Sequence, residues 1–217
     1  MSMVQHSVIS SRRLSIAALV AVLLGALGLA VGMAPEPDPI PRRWQLAIEP
    51  GEMRVASVEV PGVGTRAYYF MTYKVTNTSD TDLLFTPTFD MLTDDGDLIR
   101  SGRDVPLDVT KEILQRVDNS FVQDQISIVG SLLQGEANAK EGLVIWPVIS
   151  TKSAEFTVFA GGFSGETRPV ETVNPADHSQ MKVLLRKTLM MRFQGPGELR
   201  NMEGRTIPMI DRTWVMR

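Results

Sequence analysis

Ala67-Tyr-Tyr-Phe-Met-Thr-Tyr-Lys-Val-Thr-Asn77 carries Tyr69, Met71, Tyr73 and Val75 at every second position, with Thr72, Lys74 and Thr76 mainly between them. Successive side chains of an extended chain point to opposite faces, so this spacing predicts a half-buried strand. The same period governs the residues that follow. Asp80-Thr-Asp82 supplies a turn, and Leu83, Phe85, Pro87, Phe89 and Met91 share one face of the next extended segment. Pro87 cannot donate to a ladder, which places that segment at a sheet edge or gives it a bulge. Asp95-Gly96, set between Met91-Leu-Thr93 and Leu98-Ile99, is a hairpin signal.

After Pro106 the period changes. Val109, Ile113, Leu114 and Val117 fit helical spacing, which predicts a helix over 108–117 with Asp108 or Thr110 as its cap and Arg116 near its end. Ile126, Val129, Leu132 and Leu133 can make a second helical face in 121–133, interrupted by Gly130. Gln134–Gly142 reads as a polar turn. Leu143–Ser150 and Ala154–Ser164 are apolar runs expected to pair across Thr151-Lys-Ser153. In Met181–Phe193 the odd positions Val183, Leu185, Leu189, Met191 and Phe193 are apolar and Lys187 is the exception. Thirteen residues is long for one strand, so a bulge is expected near Arg186-Lys187. Arg205–Ile210 and Arg212–Arg217 close the chain as one bent strand or two short ones.

Eight to nine short strands with one helical insertion at about 106–133 predict a mainly β fold, an immunoglobulin-like two-sheet sandwich over 44–217. Its expected core includes Tyr73, Val75, Phe85, Trp146, Phe156, Val158, Leu185 and Leu189. Tyr68 and Phe70 lie opposite Tyr69, Met71 and Tyr73, and the helical insertion is expected to cover that second face.

Ahead of this region, Leu14–Ala34 is an uncharged run of 21 residues that follows Arg12-Arg13 and precedes the proline-rich 35–43, PEPDPIPRR. As a helix it reaches roughly 31 Å, close to the thickness of a bilayer core. Two readings stand: a signal anchor that stays, or a signal peptide cleaved after Ala30 or Ala34. Either way the paired arginines keep residues 1–13 in the cytoplasm and send 35–217 outside. Alternate prolines make 35–43 an extended linker, a standoff of roughly 28 Å in polyproline geometry.

Composition narrows the class. The chain holds 22 lysines and arginines against 25 acids, a net charge of −3, and the segment from Pro35 onward keeps 20 of those cations and all the acids. Dispersed, mildly acidic charge offers no basic patch, which excludes nucleic acid as the expected partner. The absence of cysteine excludes disulfides, thiolate nucleophiles and sulfur-ligated metals, so packing must hold the fold.

Two motifs carry a resemblance. Tyr73-Lys-Val-Thr-Asn-Thr-Ser79, followed by Phe89-Asp-Met-Leu-Thr-Asp-Asp-Gly96, resembles the strand ending in V-x-N-x-[ST] and the acidic D-G hairpin of telokin-like, immunoglobulin-like domains in exported bacterial proteins. The whole of 44–194 looks like an uncharacterised family of secreted planctomycete-type proteins, through its YYxMTYKVxN strand (68–77), its GExN turn (135–138) and its RKTL strand (186–189). The resemblance implies fold and location and brings no activity with it. The insertion at 106–133 departs from the simpler telokin-like domains.

No set of residues in the sequence declares a catalyst or a cofactor site. Asp90, Asp94, Asp95 and Asp97 form an acidic turn that a calcium ion can use, although the spacing is not that of an EF-hand and a solvated turn accounts for it. His178, in the loop Asp177-His-Ser179, has no second histidine in the domain to share a zinc, and three sequence neighbours rarely reach the geometry of a triad. A carboxylate pair for hydrolysis, such as Glu136 with Asp177, would have to lie within roughly 5–9 Å. Gly161-Gly-Phe-Ser-Gly165 lacks the helix and lysine of a phosphate loop and reads as a glycine hairpin or bulge. Trp44, Tyr68, Tyr69, Tyr73, Trp146 and Trp214 are expected in the core rather than on a sugar- or peptide-binding platform. Asn77-Thr-Ser79 has the form of a glycosylation acceptor and is read as an Asx turn. The expected function is therefore a non-enzymatic interaction or structural domain outside the cytoplasm, joined to the membrane through 14–34 or secreted, with a protein or envelope component as partner. An ion- or ligand-binding module using Asp90–Asp97 is the alternative, and a carboxylate-dependent hydrolase a further one.

Overall fold

The computed structural model describes residues 35–38, 43–149, 154–195 and 204–217. The expected cytoplasmic tail, the apolar run Leu14–Ala34 and the turn at 151–153 lie outside the described residues. Among the described residues no helix is long and apolar enough to cross a membrane.

In chain order the strands are β1 (Ala47–Val60), β2 (Gly64–Thr76), β3 (Leu83–Phe85), β4 (Thr88–Thr93) and β5 (Leu98–Arg100), followed by helix α1 (Leu107–Val117). Then come β6 (Val122–Gln123), β7 (Gly130–Leu132), a 3-10 turn at Glu136–Asn138, β8 (Lys140–Pro147) and β9 (Glu155–Gly161). The chain ends with β10 (Thr167–Val173), β11 (Gln180–Gln194), β12 (Thr206–Ile207) and β13 (Met209–Met216). The fold is mainly β. Sheet one has the order β12-β1-β2-β8-β6, and sheet two the order β10-β11-β9-β4-β5 with β13 also paired to β11. Strands β3 and β7 make a small third ladder.

Alternation in β2 sorts its side chains as expected. Tyr69, Met71, Tyr73 and Val75 are buried with Phe89, Met91, Phe156, Val158, Leu189 and Phe193 of sheet two, so the two sheets close on one core. Rings interlock there: Tyr73 lies 4.8 Å from Phe89, and Phe156 stacks on Phe193 at 5.4 Å. On the other face of β2, Tyr68 and Phe70 are buried in a second cluster with Ala56, Val58, Leu143 and Ile145, covered by Val109 and Ile113 of α1. The insertion does cover this face, and its helix adds a third layer.

Close packing leaves the position of Gly142 open only to glycine. A Cβ on Gly142 would sit 2.4 Å from Tyr73 Cζ, and the ring cannot retreat because Phe89 and Phe163 hold it at 4.8 and 5.8 Å. Gly142→Ala is expected to destabilise the domain by about 1–3 kcal/mol, the usual range for overpacking, read as a shift of the denaturant midpoint.

Five expectations are corrected. The runs 143–150 and 154–164 do not pair: β8 lies between β2 and β6 in sheet one, whereas β9 lies between β4 and β11 in sheet two. Both strands are inserted between other strands, and this double use of their edges outweighs proximity in sequence. The second helical face in 121–133 is not a helix. Strands β6 and β7 flank an Asx turn in which Asp124 accepts the amides of Ile126 and Ser127, and of Ile126, Val129, Leu132 and Leu133 only Leu132 reaches the core. Helix α1 starts after Pro106 with no side-chain cap, so neither Asp108 nor Thr110 caps it. The irregularity expected in β11 near Arg186-Lys187 belongs to its partner. β11 runs unbroken while β9 and β10 pair with it in registers four residues apart, and the excess residues of 161–166 loop out so that Phe163 enters the core. Leu185 is only half-buried, because β11 between Gln180 and Arg186 belongs to a ribbon with β10 that sheet one does not cover.

The proline-rich stretch also contributes to the fold. The compact unit spans Glu36–Arg217, eight residues earlier than the expected start at Trp44. Asp38 is held there by its backbone amide, which donates to Glu166 Oε1 at 3.1 Å.

Candidate functional site

The outward face of sheet two is built by the same alternation that fills the core. Phe89 and Met91 point inward from β4, so Thr88 and Asp90 point outward. Phe159 of β9 and Thr188 of β11 share their side of the sheet. Arg186 and Arg217 exchange backbone hydrogen bonds of 2.7 and 3.0 Å, which brings the end of the chain beside β11 on this face. The loop-out at 161–166 raises one wall, and Trp44 packs against Gly165 so tightly that a Cβ there would meet its Nε1 at 2.6 Å. Between these walls lies an open cleft of about 450 Å³.

Its charge is unbalanced. Asp90 accepts from Arg100 Nε at 3.1 Å and from Arg217 at 3.3 Å, and the Arg217 guanidinium lies 4.2 Å above the Phe159 ring. Arg186 lines the same cleft, and among the described residues it makes no ion pair. Two guanidinium groups, those of Arg186 and Arg217, thus line the cleft with one side-chain carboxylate, Asp90, which Arg100 also binds from outside it. The hydroxyls of Thr88, Thr167 and Ser164 add neutral hydrogen-bonding groups along the walls.

A second cluster sits at the base of the β10–β11 ribbon. Lys187, the lone charge on the inward side of β11, is buried and bonded to buried Glu166 at 3.0 Å. Asp38 closes over the pair, its carboxylate 3.7 Å from Arg168, and Lys187 Nζ lies 5.7 Å from the Trp214 ring. Burial alone pushes the Glu166 carboxyl up. The Asp38 amide and the bond and charge of Lys187 outweigh it, aided by Arg168, and hold the group below the usual carboxylate range. These charges satisfy one another, which makes the cluster a structural clasp.

The residues singled out in the sequence fall as follows. The acidic turn does not converge: Asp90 is committed to two arginines, Asp94 Oδ2 accepts the amide of Ala154 at 2.7 Å, and Asp95 and Asp97 face solvent across the hairpin. Among the described residues no three His, Asp or Glu side chains gather as metal ligands. Glu136 pairs with Lys74 of sheet one at 3.2 Å, while Asp177 sits in the turn of the β10–β11 ribbon. There the Ser179 hydroxyl and amide both donate to Asp177 and draw its carboxyl below the usual range. His178 is exposed at a positive φ of 56° and stands outside that hydrogen bond. Asn77 is fully buried: its Nδ2 donates to Thr81 and Leu132 carbonyls and its Oδ1 accepts from Ser79, the Asx turn expected. Of the aromatic set, Tyr68, Tyr69, Tyr73 and Trp146 are core, and burial pushes the Tyr69 hydroxyl up to about 12. Trp44 and Trp214 are half-buried.

Sequence reasoning missed both clusters. The only signal for the clasp was a lysine on an apolar period, and the cleft draws on residues from Trp44 to Arg217 that no local pattern links. No family model, no curated protein and no solved structure matches the chain.

Proposed function

We propose that this protein is a non-enzymatic interaction domain of immunoglobulin-like type that works outside the cytoplasm, tethered by Leu14–Ala34 or secreted if that segment is removed. It resembles the telokin-like and planctomycete-type secreted proteins in the motifs at 68–79 and 89–96, and its partner is a protein or envelope component. The observation that carries this reading is the cleft on sheet two, where the guanidinium groups of Arg186 and Arg217 face one side-chain carboxylate in an open hollow. Such a surplus favours a ligand of negative charge. The ion-binding alternative is less favoured, because Asp90 already holds two arginines.

The test uses the full chain in its native membranes. A photo-crosslinking residue at Thr88, in the cleft, is expected to capture a discrete partner that the same residue at Glu59, on sheet one, does not. Equal labelling from both positions overturns the reading. Amino-terminal sequencing of the mature protein separates tethered from secreted, since a new terminus at Val31 or Pro35 marks cleavage.

A further inference from the structure

We infer that the cleft on the outer face of sheet two binds a carboxylate-bearing saccharide; this rests on the reading of the chain as an interaction domain and names the ligand class. Charge comes first. Arg186 is exposed and without an ion-pair partner among the described residues, and Arg217 is held between Asp90 and the Phe159 ring, so its guanidinium is positioned before a ligand arrives. A planar guanidinium is suited to the two oxygens of a carboxylate.

The rest of the lining favours a sugar over a peptide. A peptide bound by a sheet usually joins a free strand edge, through its main chain. Here β4, β9 and the half of β11 in the cleft each have a neighbour on both sides, so the cleft offers a strand nothing to pair with. Recognition must go through side chains. Those available are short hydroxyls on rigid strands, Thr88 and Thr167, and the half-buried indole of Trp44, a flat apolar surface beside polar groups. Hydroxyls, one ring surface and guanidinium donors match the hydroxyls, the apolar ring face and the carboxylate of a uronic acid. A volume of about 450 Å³ accommodates one or two such rings.

The experiment titrates the full chain, purified in detergent, with a hexamer of galacturonic acid, against neutral cellohexaose and polyglutamate. Binding of the galacturonate hexamer is expected to weaken about tenfold or more in Arg186→Gln, as for the loss of one charge-assisted hydrogen bond pair. It is also expected to fall as salt is raised. Cellohexaose and polyglutamate are expected to bind far less. Because Arg186 is exposed, the variant should keep the parent's thermal midpoint; Thr88→Trp, which fills the hollow, is the second variant and should also block binding. Polyglutamate binding as tightly as the hexamer overturns the saccharide assignment and leaves the interaction domain standing. Absence of hexamer binding, or binding indifferent to both variants, overturns the inference. The Thr88 crosslink then decides separately whether the cleft has any partner.

Discussion

Phe156→Ala is expected to destabilise the domain by about 3–5 kcal/mol, seen as a lower denaturant midpoint with an unchanged slope. Phe156 is 2% exposed and lies where the sheets meet, 5.0 Å from Tyr69 of sheet one and stacked on Phe193 of its own sheet. Removing the ring takes away its transfer free energy and leaves a hollow. Neither neighbour can fill that hollow, because each sits on a strand paired on both sides. A loss of this size is a large part of the roughly 5–15 kcal/mol that holds a typical domain together. Leu185→Ala provides the control. Half-buried on the uncovered ribbon, it should cost less than about 1 kcal/mol. Equal effects at the two positions would show that the ribbon is packed as tightly as the core.

The contrast between these two leucine- and phenylalanine-bearing strands shows what was legible in the sequence. Period-two spacing assigned faces correctly wherever both sheets overlap, as in Tyr69, Met71, Tyr73 and Val75 and again in Leu189, Met191 and Phe193. It says nothing about how far a strand runs past its cover, so Leu185 was read as core from the same period. Pairing was less visible than facing. Pro147 ends β8 and Glu155 begins β9 a short loop later, a spacing that suits a hairpin and a crossing between sheets equally well. Only the strands already occupying each edge decide between them. In 121–133, Ile126, Val129, Leu132 and Leu133 have the spacing of a helical face, yet an Asx turn at Asp124 and a short strand place them, and of the four only Leu132 is buried. The candidate cleft was invisible for a related reason. Its parts come from the strands' outward positions, where a threonine or an arginine is also what an ordinary solvated face contains.

Lys187→Met should cost about 3 kcal/mol, although methionine is the better residue for an apolar period. Lys187 and Glu166 are 5% and 7% exposed in their side chains, so removing the ammonium leaves a carboxylate buried with the Asp38 amide and the more distant Arg168 as its remaining support. Breaking a buried pair from one side is costly for this reason, and the value lies at the low end of the usual range because a hollow between Asp38, Arg43 and Arg168 opens beside Glu166. If the loss comes from the stranded charge, Glu166→Leu combined with Lys187→Met should recover most of it, to within about 1 kcal/mol of the parent. The pH dependence gives a second readout. Glu166 has its folded pKa lowered, so its contribution is complete above the unfolded carboxylate value of about 4.3 and is lost as the pH falls through the lower folded value. The parent should therefore lose stability in that acid range more steeply than the double variant does. A double variant as unstable as Lys187→Met, with the parent's acid profile intact, would mean that the methionine fails by shape and that the charge pair contributes nothing to the clasp.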